Sequence, residues 1–167
     1  DEAQLKPLVD KYDVGSVSTI IHTPDRIAST DKPSQALRGG RNSSMRLAIN
    51  AVRDGEAAGV VSAGNTGALM AMAKFVLKTL PGIDRPAIAS FLPTERGETL
   101  VLDLGANVEC SANNLVQFAV MGNAFTRIVS GIERPTVGLL NVGEEELKGN
   151  DEVRDAAAIL KNGSLPV

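Results

Sequence analysis

Residues 60–71 read Val-Val-Ser-Ala-Gly-Asn-Thr-Gly-Ala-Leu-Met-Ala, an apolar run that passes through a small polar turn into a helical pattern. The two glycines of the turn carry no Cβ, so a ligand can approach the backbone closely there. Ser62, Asn65 and Thr66 add short hydrogen-bonding side chains, and the first helical turn offers N–H groups to an anion. The stretch predicts strand, turn and helix, with either a phosphate or carboxylate site or an ordinary capped turn at the junction.

Apolar runs alternate with helical patterns along the whole chain, which indicates an α/β fold. The runs that suit strands are 17–22, 58–62, 87–92, 99–104 and 137–142, and the patterns that suit helices are 2–12, 34–38, 43–54, 66–80, 112–130 and 151–161. Such alternation implies right-handed crossovers and a largely parallel sheet covered on both faces. The runs 87–92 and 99–104 could instead pair as an antiparallel hairpin. We predict a single α/β domain over 1–167, a three-layer α/β/α sandwich with a mostly parallel sheet, cut from a longer chain.

The composition argues against several functional classes. A formal net charge of −3 and the absence of Trp disfavour a nucleic-acid binder, which needs a basic face and stacking aromatics. One Cys and one His can build neither an intrachain disulfide nor the usual structural zinc site. No apolar run reaches the roughly 20 residues that a membrane-spanning helix needs. We expect a protein of a reducing compartment without a resident metal.

Three predicted strands end in polar, glycine-bearing segments, called here the first turn (62–67), the second turn (103–107) and the third turn (141–150). Ligands bind outside the carboxyl ends of the strands of an open parallel sheet, so we expect the three turns to line one polar cleft. None of the turns contains a His. We expect Cys110 to act as a small buried residue and His22 to lie in a loop. The cleft would then position a substrate that brings its own nucleophile, such as inorganic phosphate.

Charged side chains near the turns each allow more than one interpretation. Lys148 is either a cation for phosphate or a developing oxyanion, or a solvated partner of Glu144 or Glu145. Asp103 ends an apolar strand, where its carboxylate would cap a turn or orient a donor. A basic cluster that suits a solvated face, a phosphate or an acidic partner protein consists of Arg38, Arg41 and Arg46. The glycine spacing of the first turn does not match a dinucleotide fingerprint, which disfavours such a cofactor.

An ordered series of motifs along the chain resembles one protein family. The series comprises Asp31-x-Pro33-Ser34-x-Ala36-Leu37-Arg38, Ser43-Ser44-Met45-Arg46, residues 61–69, Leu80-Pro81-Gly82-Ile83-Asp84-Arg85-Pro86-Ala87, Asp103-Leu104-Gly105-Ala106-Asn107 and residues 138–150. Taken in order, these segments are similar to the bacterial phosphate acyltransferases (PlsX) of membrane phospholipid synthesis. The similarity covers nearly the whole chain, which would form the central portion of a family chain about twice as long.

The resemblance implies a reaction in which an acyl group passes from acyl carrier protein to inorganic phosphate, giving acyl phosphate and free carrier protein. It also implies a three-layer fold akin to the isocitrate and isopropylmalate dehydrogenases and to phosphotransacetylase. Family members are cytoplasmic homodimers that associate loosely with the inner face of the cell membrane. They need no organic cofactor.

On this resemblance we assign roles to residues of the three turns. Phosphate or acyl phosphate is expected to be held by donors of the first and third turns, namely Ser62, Gly64, Asn65, Thr66, Gly67, Asn141 and Gly143. Asn107 and Lys148 would stabilise charge on phosphate or on the thioester oxyanion. Asp103 and Glu144 would orient these groups, or one of them would accept a proton.

Two alternatives remain open at the level of the sequence. A phosphotransacylase that acts on acyl coenzyme A would use similar chemistry but would need a nucleotide pocket. A non-catalytic fragment that binds an acyl carrier protein or a partner subunit would need only a docking face. Because a carrier protein is recognised through a basic surface, the donor that the protein prefers separates the first alternative from the family's reaction.

Overall fold

The computed structural model describes residues 1–95, 97–105, 107, 109–143, 145 and 148–163. The helices of this part of the chain are α1 (Glu2–Lys11), α2 (Pro33–Gly39), α3 (Ser44–Arg53), α4 (Thr66–Leu77), α5 (Ala112–Val129) and α6 (Asp151–Asn162), and its strands are β1 (Ala89–Thr94) and β2 (Gly97–Leu102). The chain divides into two compact units, Asp1–Lys78 and Thr79–Val167. None of the helices described is long and apolar enough to cross a lipid bilayer.

The core of the first unit lies between α2, α3 and α4. Its buried side chains are Ala36, Met45, Ile49, Ala68 and Met72. Gly40 closes α2 against this core, because a Cβ at that position would lie 2.5 Å from Ile27 Cδ1 and 2.8 Å from Met72 Cε. The packing therefore brings the start of α4, which follows the first turn, against α2.

The second unit is built on a hairpin and two helices. Strands β1 and β2 pair antiparallel, from Ala89 opposite Leu102 to Thr94 opposite Gly97. Helix α5 crosses the hairpin at Gly122, where a Cβ would lie 3.0 Å from Leu102 Cδ1. The rings of Phe91 and Phe125 contact each other across the same interface, with their centroids 6.0 Å apart. Helix α6 packs on α5 and buries Ala156 completely.

The structure confirms the α/β composition and the positions of all the predicted helices, because their signals are local. Helix α3 ends where Gly55 adopts a φ of +77°, as the glycine predicts. Helix α4 is shorter than predicted, because Lys78 leaves the helical region with a φ of +67°. The antiparallel hairpin, foreseen as an alternative, is also confirmed.

The strands predicted over 17–22, 58–62 and 137–142 are not observed in the chain as the structure describes it. These runs form no strand ladder among the described residues, so the predicted mostly parallel sheet is not present there. A strand needs a partner for its backbone hydrogen bonds, and an apolar β-rich run does not specify that partner. Consistent with this, Val61 is 100% exposed and Leu140 is 93% exposed.

Candidate functional site

In the first turn, the side chain of Asn65 is engaged within the protein at both ends of its amide. The oxygen caps α4 by accepting from the N–H of Ala68 at 2.9 Å. The amide nitrogen donates to the carbonyl oxygens of Ala28, Ser29 and Asp31 at 3.2, 3.1 and 2.9 Å. Asn65 therefore clamps the loop before α2 onto the start of α4, and this side chain directs no donor towards a ligand.

The glycines of the first turn are explained by close packing. A Cβ at Gly64 would lie 3.2 Å from Met45 Cε, and one at Gly67 would lie 3.0 Å from Pro33 Cγ. The hydroxyl of Ser62 accepts from the N–H of Gly64 at 3.2 Å, so this side chain also serves the turn itself. Ser62, Gly64, Thr66 and Gly67 are all exposed, and the last two present backbone N–H groups at the N-terminus of α4.

The second turn is organised around the carboxylate of Asp103. Its Oδ1 accepts from the backbone N–H and the side-chain amide of Asn107 at 3.2 and 2.8 Å. Its Oδ2 accepts from the thiol of Cys110 at 3.1 Å. Asp103 has a φ of +64° and Gly105 a φ of +85°, so two left-handed residues shape the tight turn that folds the carboxylate over its donors.

Arg85 completes this cluster from the loop before β1. Its Nη1 donates to Oδ1 of Asn107 at 3.3 Å and to the carbonyl oxygen of Glu109 at 3.2 Å. The amide nitrogen of Asn107 also lies 3.4 Å from the carbonyl oxygen of Pro86, so this amide too is engaged at both ends. No role for Arg85 follows from residue pattern alone, and the available signal is its place in the motif of residues 80–87.

The structure gives Cys110 and His22 hydrogen-bonding partners within the protein. Burial, with the hydrogen bond to Asp103, raises the pKa of the Cys110 thiol to about 11, so the thiol stays protonated near neutral pH. The thiol is thus a hydrogen-bond donor to the turn as well as a small buried group. His22 lies exposed in a loop, as expected, and its Nδ1 accepts from the N–H of Glu2 at 3.1 Å.

The third turn is closed by its own side chains. The amide of Asn141 donates to the carbonyl oxygen of Lys148 at 3.0 Å and accepts from the N–H of Val142 at 2.9 Å. Gly143 lies under Lys148, since a Cβ there would be 3.2 Å from Lys148 Cγ. Asn141 and Gly143 therefore shape the turn that presents Lys148. Glu144, predicted to orient the site, lies outside the described residues.

A pocket of about 570 Å³ opens between the third turn and α6. Its apolar lining consists of Leu139, Leu140, Val142, Val153 and Ala157, and its charged lining of Glu145, Lys148, Arg154 and Lys161. Arg154 donates to the carbonyl oxygen of Gly149 at 3.1 Å and is paired with Asp151, so it is held at the start of α6. Sequence reasoning missed Arg154 and Lys161. Their spacing of seven residues places both on one face of α6 and is the signal that could have found them.

The second and third turns lead into helices whose first turns touch. The carboxylate of Glu152, in the first turn of α6, accepts from the N–H of Ala112 at the start of α5. The α5 N-terminus is further closed by reciprocal capping between Ser111 and Asn114. Two of the three predicted turns thus lie at the same end of the helix pair. The first turn belongs to the other unit, and its place beside them stays a prediction.

This arrangement suits charge stabilisation better than covalent catalysis. The pocket combines an apolar wall with the cations of Lys148, Arg154 and Lys161, which fits a molecule that has an anionic group and an apolar part. In the part of the chain that the structure describes, no group of three or more His, Cys, Asp or Glu side chains is placed to hold a metal ion. The chemistry available from these residues is therefore binding, positioning and neutralisation of charge.

The sequence of the chain matches a family of known proteins. The family model described as "Fatty acid synthesis protein" matches residues 1–166. Phosphate acyltransferase from Rhodospirillum centenum is 68% identical over 166 residues, which are 99% of this chain and 47% of the relative. The proteins of the same name from Rhodospirillum rubrum and Paramagnetospirillum magneticum are 61% and 59% identical over 168 residues, 100% of this chain and 48% of each relative.

The chain spans about half the length of the curated relatives it matches. The residues that the family model matches include the three turns, Arg85 and the residues that line the pocket beside α6. Because the family model covers all but the last residue, the chain belongs to the fatty acid synthesis protein family.

Proposed function

We propose that this chain contributes to a phosphate acyltransferase that moves an acyl group from acyl carrier protein to inorganic phosphate. The observation that carries the proposal is that relatives 59–68% identical over nearly the whole chain are named phosphate acyltransferase. In this reaction a phosphate oxygen attacks the thioester carbonyl carbon, the C–O bond forms, the C–S bond breaks, and the carrier thiol leaves with a proton. The acyl phosphate then serves fatty acid and phospholipid synthesis.

The pocket beside α6 supports this reaction class. Lys148, on the third turn, lies where an ammonium group can neutralise phosphate or the oxyanion that develops on the thioester. Arg154 and Lys161 line the same pocket and add positive charge, while its apolar wall suits the acyl part of the substrate. Glu144 keeps the proposed role of orienting Lys148 or accepting a proton.

The hydrogen bonds made by the side-chain amides of Asn65 and Asn107 change the roles that we propose for the candidate residues. Asn65 and Asn107 are positioning residues, because each holds a turn in shape through both ends of its side chain. Thr66 and Gly67 contribute backbone N–H groups at the start of α4, which favours an anion there. Asp103 orients the second turn, with Arg85 holding Asn107 from the other side. The protonated thiol of Cys110 supports direct attack by phosphate without an acyl-enzyme.

The proposed enzyme has further properties that the family resemblance supports. In the whole protein, the runs 17–22, 58–62 and 137–142 are strands of a mostly parallel sheet in one three-layer domain, like that of the isocitrate and isopropylmalate dehydrogenases. Full exposure of Val61 and Leu140 favours this, because apolar runs of this kind are normally covered. We further propose a cytoplasmic homodimer in peripheral contact with the membrane.

The first experiment measures acyl phosphate, trapped with hydroxylamine, from long-chain acyl carrier protein and phosphate. A full-length protein that carries this sequence is used, with acyl coenzyme A as the competing donor. Phosphate-dependent product from the carrier-protein donor supports the proposal. Product from acyl coenzyme A alone would favour a phosphotransacylase instead. Absence of product from both donors, in a folded full-length protein, would overturn the proposed activity.

Replacement of Lys148 tests the charge-stabilising role. We expect Lys148→Ala to lower turnover at least about tenfold, because loss of one contact that stabilises developing charge costs that much or more. Lys6→Ala, which removes an exposed cation on α1, is the matched control and should retain normal turnover. Near-normal turnover of Lys148→Ala would remove this residue from the proposed mechanism.

A further inference from the structure

Positive charge is concentrated on α2, α3 and α4, although the chain as a whole carries a net charge of −3. Residues 32–53 contain five cations and no carboxylate, and residues 57–83 contain two cations and no carboxylate. Of these cations, Arg53 is paired with Asp54, so the basic surface rests on the others. Since α2 and α3 both pack against α4, these segments form one basic region. A local basic surface on an acidic protein attracts an acidic partner over distances set by ionic screening.

One exposed aromatic ring lies within this basic region. Phe75, on α4, is 54% exposed although it belongs to a helix whose other face supplies the core. The guanidinium of Arg46, on α3, lies 5.8 Å from the centre of the ring, and the ammonium of Lys78 lies 5.0 Å from it. Arg46 is held in place by a 3.2 Å hydrogen bond from its Nε to Asn50. Arg46, Phe75 and Lys78 are called here the Phe75 patch.

We propose that the Phe75 patch docks the acidic carrier protein that delivers the acyl group, an inference that rests on the function proposed above. Exposed aromatic rings and arginines are the residues that contribute most to protein–protein affinity, and the two cations supply charge complementarity. A single aromatic ring between cations does not provide the broad apolar face that an interfacial membrane helix needs. The patch therefore suits a folded acidic protein better than a lipid surface.

The Phe75 patch lies at a distance from the first turn, which suits a docking surface that is separate from the reacting groups. Phe75 lies nine residues after Thr66 on α4, which is about 14 Å along the helix axis. A carrier protein presents its acyl group on a flexible prosthetic arm, so its docking surface and the reacting thioester are separated. Changes in the patch should therefore affect binding of the carrier-protein donor and leave phosphate binding unaffected.

The test reverses the two charges of the patch, as Arg46→Glu with Lys78→Glu, in the full-length protein. Lys6→Glu with Lys11→Glu is the matched control, because it makes the same change in net charge on α1 of the same unit. Lys11 also lies 5.2 Å from the ring of the exposed Tyr12, so the control perturbs a similar cation–aromatic pair. Unfolding midpoints of both variants show whether they are folded.

We expect the patch variant to raise the KM for acyl carrier protein at least about tenfold, since rim and anchor charges govern such encounters. Its KM for phosphate and its rate with acyl coenzyme A should stay within about twofold of the parent. Equal effects of the patch and control variants, or equal loss with both donors, would overturn the proposal. If the double variant does not fold, Lys78→Glu and Phe75→Ser are measured singly against Lys11→Glu with the same criteria.

Direct binding separates this inference from the proposed function. The dissociation constant for fluorescent carrier protein is measured at low and high salt, and binding to anionic lipid vesicles is measured alongside. Salt-sensitive carrier binding that the patch variant loses supports docking even if the protein makes no acyl phosphate, in which case only the proposed activity fails. Loss of vesicle binding with unchanged carrier binding would overturn the proposal in favour of a membrane surface.

Discussion

Asn65 and Asn107 are held in the same way, although they belong to different units. Each amide accepts through its oxygen and donates through its nitrogen to groups of the protein itself. Residues of this kind act on a ligand by fixing the backbone around it, and their replacement should alter stability together with activity. This distinguishes them from Lys148, which lines the pocket and belongs to no core.

Replacement of Asn65 should reveal its two structural contributions. We expect Asn65→Ala to lower the free energy of unfolding by about 2 kcal/mol, because it removes the helix cap and the loop clamp. Asn65→Ser keeps a capping oxygen and should lose about half as much. Turnover of Asn65→Ala should fall at least about tenfold because the backbone donors of the turn lose their geometry. Urea unfolding measures the stabilities, and parental stability of Asn65→Ala would refute the clamp.

The raised pKa of the Cys110 thiol predicts that the protein loses stability at alkaline pH. Its pKa of about 11 in the folded protein exceeds the ordinary value of 9.0, so the folded state holds the thiol proton more tightly than the unfolded state. The resulting stabilisation is complete below pH 9.0 and is lost as the pH rises towards 11. Cys110→Ser lacks this titration, and its unfolding free energy should fall less over that interval. Parallel pH profiles for the two proteins would contradict the assignment.

At the scale of elements, helix ends and turns depend on residues that can adopt a positive φ. Gly105 has a φ of +85° just after β2, where the second turn begins to fold over Asp103. Lys78 has a φ of +67° and a ψ of 172°, a conformation that is nearly restricted to glycine, at the end of α4. The turns that carry the candidate site are therefore strained or glycine-dependent, whereas the helices that follow them have ordinary caps.

Substitution of Gly105 isolates the conformational cost of the second turn. Among the residues that the structure describes, nothing lies within 4 Å of a Cβ at Gly105, so Gly105→Ala should cost about 1–2 kcal/mol through its positive φ. Gly138→Ala is the control, since that Cβ is equally unobstructed and the backbone there is not left-handed. Denaturant unfolding compares the two variants. Equal stabilities would show that the φ of Gly105 imposes no cost.

At the scale of the whole molecule, apolar residues are exposed where strands were predicted. Val61, Leu140 and Val142 are 100%, 93% and 86% exposed. Val61 and Leu140 each lie next to a turn of the candidate site, and Val142 lies within the third turn. Large exposed apolar surface marks a site of association with other protein. In the proposed three-layer domain these apolar residues are covered where further strands pair with the runs that contain them.

The 167-residue chain on its own should bind a hydrophobic dye more strongly than a full-length protein that carries it. Exposed apolar runs bind such dyes, and burial by the remainder of the protein removes them from solvent. Val61→Thr with Val142→Thr should reduce dye fluorescence of the 167-residue chain, as measured at matched concentration. Equal fluorescence per chain in the two forms would contradict the proposed burial.

The sequence by itself determined what depends on neighbours a few residues apart. The caps Ser43, Asn65, Ser111 and Asn150 each bond to an N–H three residues later, so the helices were predictable from local pattern. The hairpin followed from two adjacent runs and a short turn. Family membership also follows from sequence, because the ordered motifs extend over nearly the whole chain.

Only the tertiary structure decided what these residues do within the fold. Asn65 bonds to Ala28 across 37 residues, and Arg85 bonds to Asn107 across 22, which no local pattern can specify. The same holds for the unpaired runs, because a strand is defined by a partner that its own sequence does not encode. Local hydrogen bonding therefore determined the helices and their caps, whereas long-range packing decided which turn side chains are engaged within the protein.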